Sequence, residues 1–161
     1  MRTLLAAVAA ACLALSVVVP AQSLAQEPKT VPHPQLPFGA GKIDADAPQT
    51  FTTTDSGLKY RVLRKGAGAA PTKSSTVEVH YHGWLDDGKV FDSSYERGES
   101  IEFPLNGVIP GWTEGMQLVG EGGMIELEIP SGLGYGARGT PGGPIPPNAT
   151  LHFLVELRDV R

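Results

Sequence analysis

The sequence predicts an α+β fold: a curved antiparallel β-sheet of about five strands wrapped around one short α-helix. Three observations predict it. Several short segments alternate apolar with polar residues, the two-residue period of a strand with one buried face. Gly and Pro punctuate the chain between these segments, as turns require. One stretch alone carries helix boundaries, about Gly111 to Val119, opened by Pro110 and closed by Gly120.

The chain has 161 residues, enough for one domain with a tail. Residues 1–25 read as a signal peptide. Arg2 supplies the positive end, Leu4 to Val19 the apolar run, Pro20 the break and Ser23-Leu24-Ala25 the small-x-small cleavage site. The run is short for the roughly 20 residues that a membrane span needs. The one cysteine, Cys12, lies inside the run, with Leu13 to Val19 continuing beyond it and Ala9 where a lipoprotein leader usually carries Leu. It is therefore read as part of the discarded leader rather than as a lipid attachment site. A mature chain starting at Gln26 is expected in the periplasm or outside the cell, with neither disulfide nor thiolate chemistry. The formal net charge is −4, and no block of Lys or Arg is present. Nucleic acid, and a membrane surface once the leader is removed, are not expected partners.

Residues 26–50 hold five prolines (Pro28, Pro32, Pro34, Pro37 and Pro48) and no apolar period. They read as a Pro-rich, flexible linker. The segment lacks the pattern of a helical dimerisation arm, so a monomer is expected. The domain proper is placed at 51–161. Its strands are read at Leu58–Val62, Val77–Tyr81, Val90–Ser93, Ile125–Ile129 and Leu151–Leu157, with a turn at Asp86-Asp87-Gly88-Lys89. Alternation of this kind belongs to a sheet with one side open to water.

Several motifs are present in form only. Gly134 to Gly139 fits G-x-G-x-x-G, but Pro141, Pro144, Pro146 and Pro147 follow where a dinucleotide site needs a helix. His80 and His82 share a strand face, yet no third ligand stands at local spacing, so they read as a solvent-face pair. His33 and His152 carry no catalytic pattern. No nucleophile elbow or P-loop is found, and neither cofactor nor metal is expected. Asn148-Ala149-Thr150 is formally a glycosylation sequon, read here as a buried turn.

The aromatics remain: Tyr81, Trp84, Phe91, Phe103, Trp112, Tyr135 and Phe153. They fall singly on short segments, several beside Gly or a turn, where side chains reach a cleft. Trp84 is set apart as core or part-exposed. Asp92 directly follows Phe91 in an apolar stretch, where a carboxylate must find a partner or mark a site.

Five motifs run in unbroken order from about Ser56 to Arg161: V-x-V-H-Y-x-G, D-G-x-x-F-D-S-S, V-I-x-G-W-x-E-G, Y-G and I-P-P-N-A-T-L-x-F-x-V-E-L. On them the chain resembles the macrolide-binding FKBP-type peptidyl-prolyl cis-trans isomerases, in the style of secreted or periplasmic bacterial members. The resemblance implies rotation about X–Pro bonds in exported proteins, with folding polypeptides as substrates and macrolides as inhibitors. It implies Tyr81, Asp92, Phe103, Trp112, Tyr135 and Phe153 as the catalytic set. Phe91, Val108, Ile109, Ile145 and Ile101 would complete the substrate site. In relatives the tryptophan floors the pocket, and the backbone N–H at Ile109 bonds a ligand carbonyl. Ile101 stands where many members have a third phenylalanine, and Thr140 with Gly143-Pro144 replaces a loop that often carries histidine. A binding module with the same cup and no useful turnover, a holdase, is the alternative.

Overall fold

The computed structural model describes residues 29–161. The expected signal peptide, Cys12 and the first residues of the expected linker lie outside the described residues. Seven strands form one antiparallel sheet: β1 (Thr52–Thr53), β2 (Lys59–Arg64), β3 (Thr76–Leu85), β4 (Val90–Ser93), β5 (Ile101–Pro104), β6 (Met124–Ile129) and β7 (Leu151–Val160). Their order is β1-β2-β6-β7-β3-β4, and β5 also pairs with β3. Helix α1 (Ser94–Arg97) follows β4, and α2 (Pro110–Gly115) crosses the inner face.

The long strands are those the alternation predicts, because each has one face against α2. Val77, Val79 and Tyr81 of β3, Ile125, Leu127 and Ile129 of β6, and Leu151, Phe153, Val155 and Leu157 of β7 are buried together with Trp112 and Met116. Pro110 starts α2, since its missing N–H is one that the first helical turn leaves unpaired anyway. The regular helix is shorter than expected: from Met116 the chain tightens into a 3₁₀ turn ending at Leu118. Two strands escape the periodicity argument. β1 is only two residues long, and β5 ends on Pro104 with alternate residues exposed.

α2 lies unusually close to β6. A Cβ at Gly111 would stand 2.5 Å from Ile129 Cγ2, and one at Gly115 would stand 2.7 Å from Leu127 Cδ2. Four residues apart on one helix face, these glycines let the backbone settle onto the strand.

The other face of the sheet is open to water only in part: Lys59 and Arg158 are exposed, whereas Arg61, Glu126 and Glu156 are buried. Residues 29–50 are not a free linker but a strap laid across it. Leu36, Ile43 and Ala47 pack with Trp84 over a second buried cluster of Leu63, Met124 and Leu154. Arg61 is 2 % exposed and Glu126 5 %. The Arg61 guanidinium donates from Nε to Glu126 Oε2 at 2.7 Å, and from Nη1 and Nη2 to the carbonyls of Val31 and Pro32 at 2.6 and 2.7 Å. Gly41 N–H donates to Glu156 Oε1 at 2.7 Å, and Asp44 N–H to the Leu63 carbonyl at 2.8 Å. A proline-rich stretch makes few hydrogen bonds of its own, so its carbonyls are free for such partners. A missing apolar period had suggested mobility; buried charges on β2, β6 and β7 hold the segment instead.

Removing one member of a buried, hydrogen-bonded ion pair leaves the other uncompensated. Arg61→Met is therefore expected to destabilise the fold by about 3–5 kcal/mol, read by urea unfolding. Arg61→Met combined with Glu126→Met should recover most of that loss; equal losses in the single and double variants would contradict the pairing.

Candidate active site

A cavity of about 470 Å³ opens between α2 and the inner face of β3 and β7. Tyr81, Phe91, Asp92, Ile101, Phe103, Val108, Ile109, Trp112, Tyr135 and Phe153 line it, together with Gly107. The structure thus brings together every predicted site residue except Ile145. That side chain is 6 % exposed and belongs to the buried core. It is held there by its own loop, in which Thr140 N–H donates to the Ile145 carbonyl at 2.9 Å and Ile145 N–H to Thr140 Oγ1 at 3.0 Å.

Trp112 forms the floor, 5 % exposed. Its ring meets Phe153 at 5.1 Å and 90°, Tyr81 at 5.5 Å and 85°, and Phe103 at 5.4 Å and 60°. Edge-on packing of this kind suits the ring quadrupoles and fixes the walls relative to one another. Phe91 stands edge-on to Phe153 at 5.4 Å. Tyr135, 43 % exposed, is at the rim.

Phe91 and Asp92 are consecutive, yet both face the cavity. The reason is a bulge: Gly83 pairs with Asp92 and Trp84 with Val90, leaving Phe91 as the extra residue. Gly83 makes the room, since a Cβ there would fall 2.7 Å from Phe91 Cζ and 2.8 Å from Phe153 Cε1. Trp84, on the opposite face, packs against the second cluster and lines the cleft beneath the strap.

Asp92 is not a free carboxylate. Tyr81 donates its hydroxyl to Oδ2, and Arg97 donates from Nη1 to Oδ1. Arg97 Nη2 also donates to the Tyr81 hydroxyl at 2.9 Å, and the guanidinium lies 5.6 Å from the Tyr81 ring centroid. Burial pushes the Asp92 carboxyl up, but the bonds from Tyr81 and Arg97 and the Arg97 charge hold it below its ordinary value. Burial, with the bond to Asp92, raises the Tyr81 phenol. The rim therefore carries an ionised Asp92 and a protonated Tyr81 at neutral pH, a dipolar arrangement rather than an acid–base couple.

Arg97 is the residue that the sequence reading missed. α1 is a single turn, too short to show a period, and it carries Arg97 back to Asp92 five residues earlier. An opposite charge five residues beyond a carboxylate was the available signal. Two outer-face assignments also change. His80 and His82 are half-buried and hydrogen-bonded rather than solvent-facing, and Asn148 is exposed. Asn148 adopts φ 58°, a left-handed conformation that Asn tolerates better than most residues. Among the described residues no group of three or more His, Cys, Asp or Glu could hold a metal ion.

A curved sheet closed on a short helix over an aromatic cup, with one neutralised carboxylate at its rim, defines a pocket for an apolar ring flanked by polar amides. The chain belongs to the family of FKBP-type peptidyl-prolyl cis-trans isomerases, whose sequence pattern matches residues 68–158. It is 56% identical over 109 residues to the FKBP-type isomerase FkpA of Escherichia coli K12, and 54% over 108 residues to the FKBP-type 22 kDa isomerase of the same strain. Those matches take in 68% and 67% of this chain, but only 40% and 52% of the relatives. The crystal structure of FkpA from Escherichia coli superposes with a TM-score of 0.66 at 55% identity, covering 69% of this chain and 51% of that one. That of AtFKBP13 gives 0.65 at 36% identity, covering 69% of this chain and 98% of the other.

Gly83→Ala is expected to force Phe91 and Phe153 apart, at about 1–3 kcal/mol of stability; unchanged unfolding and unchanged Phe91 side-chain NMR shifts would contradict the close approach. Asp92 also carries a pH signature. Its folded value lies below the unfolded one of about 3.9, so its stabilising effect is present above that value and is lost as pH falls through the folded one. In Arg97→Ala the Asp92 titration midpoint, followed by carboxyl NMR, should move upward.

Proposed function

We propose that the chain catalyses cis-trans isomerisation of X–Pro peptide bonds. The observation that carries this reading is the Trp112-floored cup, lined mainly by aromatic and aliphatic side chains, with its one carboxylate already neutralised by Arg97 and Tyr81. An X–Pro bond has nearly balanced cis and trans forms but a barrier of roughly 18–20 kcal/mol, which comes from amide resonance. Twisting the amide lowers the charge separation across C–N, so an apolar site suits the twisted species better than water does. Only stabilisation that is greater for the twisted form raises the rate.

Trp112, Phe103, Phe153 and Tyr81 would hold the prolyl ring, with Phe91, Val108 and Ile101 closing the walls. The Ile109 N–H, which donates no hydrogen bond among the described residues, and the Tyr135 hydroxyl would fix the carbonyl on the flank. Asp92 orients the rim and transfers no proton. No covalent intermediate is needed. Ile101 leaves one wall thinner than a phenylalanine would, and thereby sets which residue is favoured beside the proline. The substrates would be folding polypeptides outside the cytoplasm, met by a monomer whose leader is removed after Ala25, and macrolides would compete for the same cup.

Replacing Phe91 with Ala and Asp92 with Asn in one chain should lower kcat/KM on a short X–Pro peptide by about a hundredfold or more, with the far-UV CD unchanged. Full activity in that variant would remove the assignment. A wild-type chain that suppresses aggregation without accelerating isomerisation would make it a holdase.

A further inference from the structure

His80 and His82 point away from the Trp112 cavity, on the opposite face of β3: His80 stacks on Tyr95, and His82 lines a separate cleft of about 940 Å³ between the sheet and the strap. Each is nonetheless tied to the segment that carries Asp92. His80 Nδ1 lies 3.0 Å from Ser94 Oγ, and His82 Nδ1 lies 3.1 Å from Ser93 Oγ. Ser93 is 3 % exposed and Ser94 fully buried. These serines directly follow Asp92, at the junction of β4 with α1.

Ser94 reaches back across the sheet. Its Oγ accepts the Tyr81 N–H at 2.8 Å and donates to the Tyr81 carbonyl at 3.2 Å. A serine hydroxyl has one proton and two lone pairs. With the proton given to the carbonyl and one lone pair to the amide, the remaining lone pair takes His80. His80 must then carry its proton on Nδ1. Tyr95 stacks on the imidazole at 4.8 Å and 21°, which holds the ring plane. Burial and the Arg158 charge lower the His80 titration, against Glu156 and Glu78; burial lowers that of His82, against Glu96. Both rings are neutral at pH 7.

The connections run on from one another, joined by the backbone of β3 and of β4. Tyr81 runs through its backbone to Ser94 and His80, and through its phenol to Asp92; Asp92 runs through Ser93 to His82. These connections flank the bulge, where the ladder between β3 and β4 consists of three pairs with a register shift among them. A bulge leaves its extra residue unpaired and the strand locally less restrained. Side-chain bonds from β3 supply the missing restraint there.

We propose that His80 and His82 are positioning residues for the pocket: by gripping Ser94 and Ser93 from the opposite face, they hold the bulge and fix the Tyr81–Asp92–Arg97 rim. Its consequence for turnover rests on the isomerase reading, whereas the positioning can be read without turnover.

The test compares the full chain with His80→Ala, His80→Asn, His82→Ala and His82→Asn. An Asn amide reaches the place of the imidazole Nδ1, and Ala does not. In the Ala variants the Asp92 carboxyl titration, followed by NMR, should move up from its held-down value. Their kcat/KM on an X–Pro peptide should fall about tenfold, and the Asn variants should restore both to within about twofold. An unmoved Asp92 titration in the Ala variants, or Asn variants no better than Ala, overturns the proposal. If His80→Ala loses its far-UV CD, the His82 pair decides, since it grips Ser93 independently. A wild-type chain that turns over no X–Pro peptide would defeat the isomerase reading alone, with the Asp92 titration still deciding the positioning.

Discussion

Contact between α2 and β6 sets the depth of everything above it. Gly111 and Gly115 bring the helix backbone onto Ile129 and Leu127 at a distance no side chain allows. Trp112, between them in sequence, is thereby sunk until its ring meets Phe153, Tyr81 and Phe103. A helix held a methyl group further out would lift the floor and spread the walls. Interiors are packed too densely to absorb such a shift without rearranging. The cavity is accordingly a consequence of how closely two backbone elements approach, and its aromatics are placed by that approach.

The sheet that carries this contact is covered fully on one face and in part on the other. On the inner side the cover is α2 and the aromatic core. On the outer side it is the strap of residues 29–50, held through Arg61, Glu126 and Glu156. Burying ionised groups costs free energy that their mutual attraction only partly returns. What the pairing supplies is location: the guanidinium accepts the strap in one place, with Val31 and Pro32 as its acceptors. β6 thus carries the helix on one face and the strap's anchor on the other. The polar rim belongs to the same arrangement, since Tyr81 faces the cavity while His82, on the other face, lines the cleft beside the strap.

Legibility differed by residue. Val79, Tyr81, Ile125, Leu127, Phe153 and Val155 announced their faces through a period of two, and the helix announced its start at Pro110. β5 did not, because Ile101-Glu102-Phe103-Pro104 is short and ends in a breaker. Ten of the eleven predicted site residues surround one cavity. Ile145 does not, because Thr140 folds the loop so that this side chain turns inward. Asp92 stood out as a carboxylate beside Phe91, yet that both face one way follows from the bulge, and a bulge is a property of the pairing with β3. Arg97 was hidden for a similar reason, since one turn of helix has no period to read.

By itself, then, the sequence determined which faces of the strands are apolar, where the helix begins, and which family's motifs the chain carries. These are local facts, set by neighbouring side chains and backbone preferences. Tertiary structure alone decided that Arg61 and Glu126 are buried, that a proline-rich segment is anchored over them, and that Phe91 and Asp92 share one cavity. It also decided that Arg97 neutralises the carboxylate. Each of these depends on what lies opposite in space, often many tens of residues away, as with Arg61 and Glu126. Alternation tells a strand that its two faces differ; it does not tell what will be packed against either one.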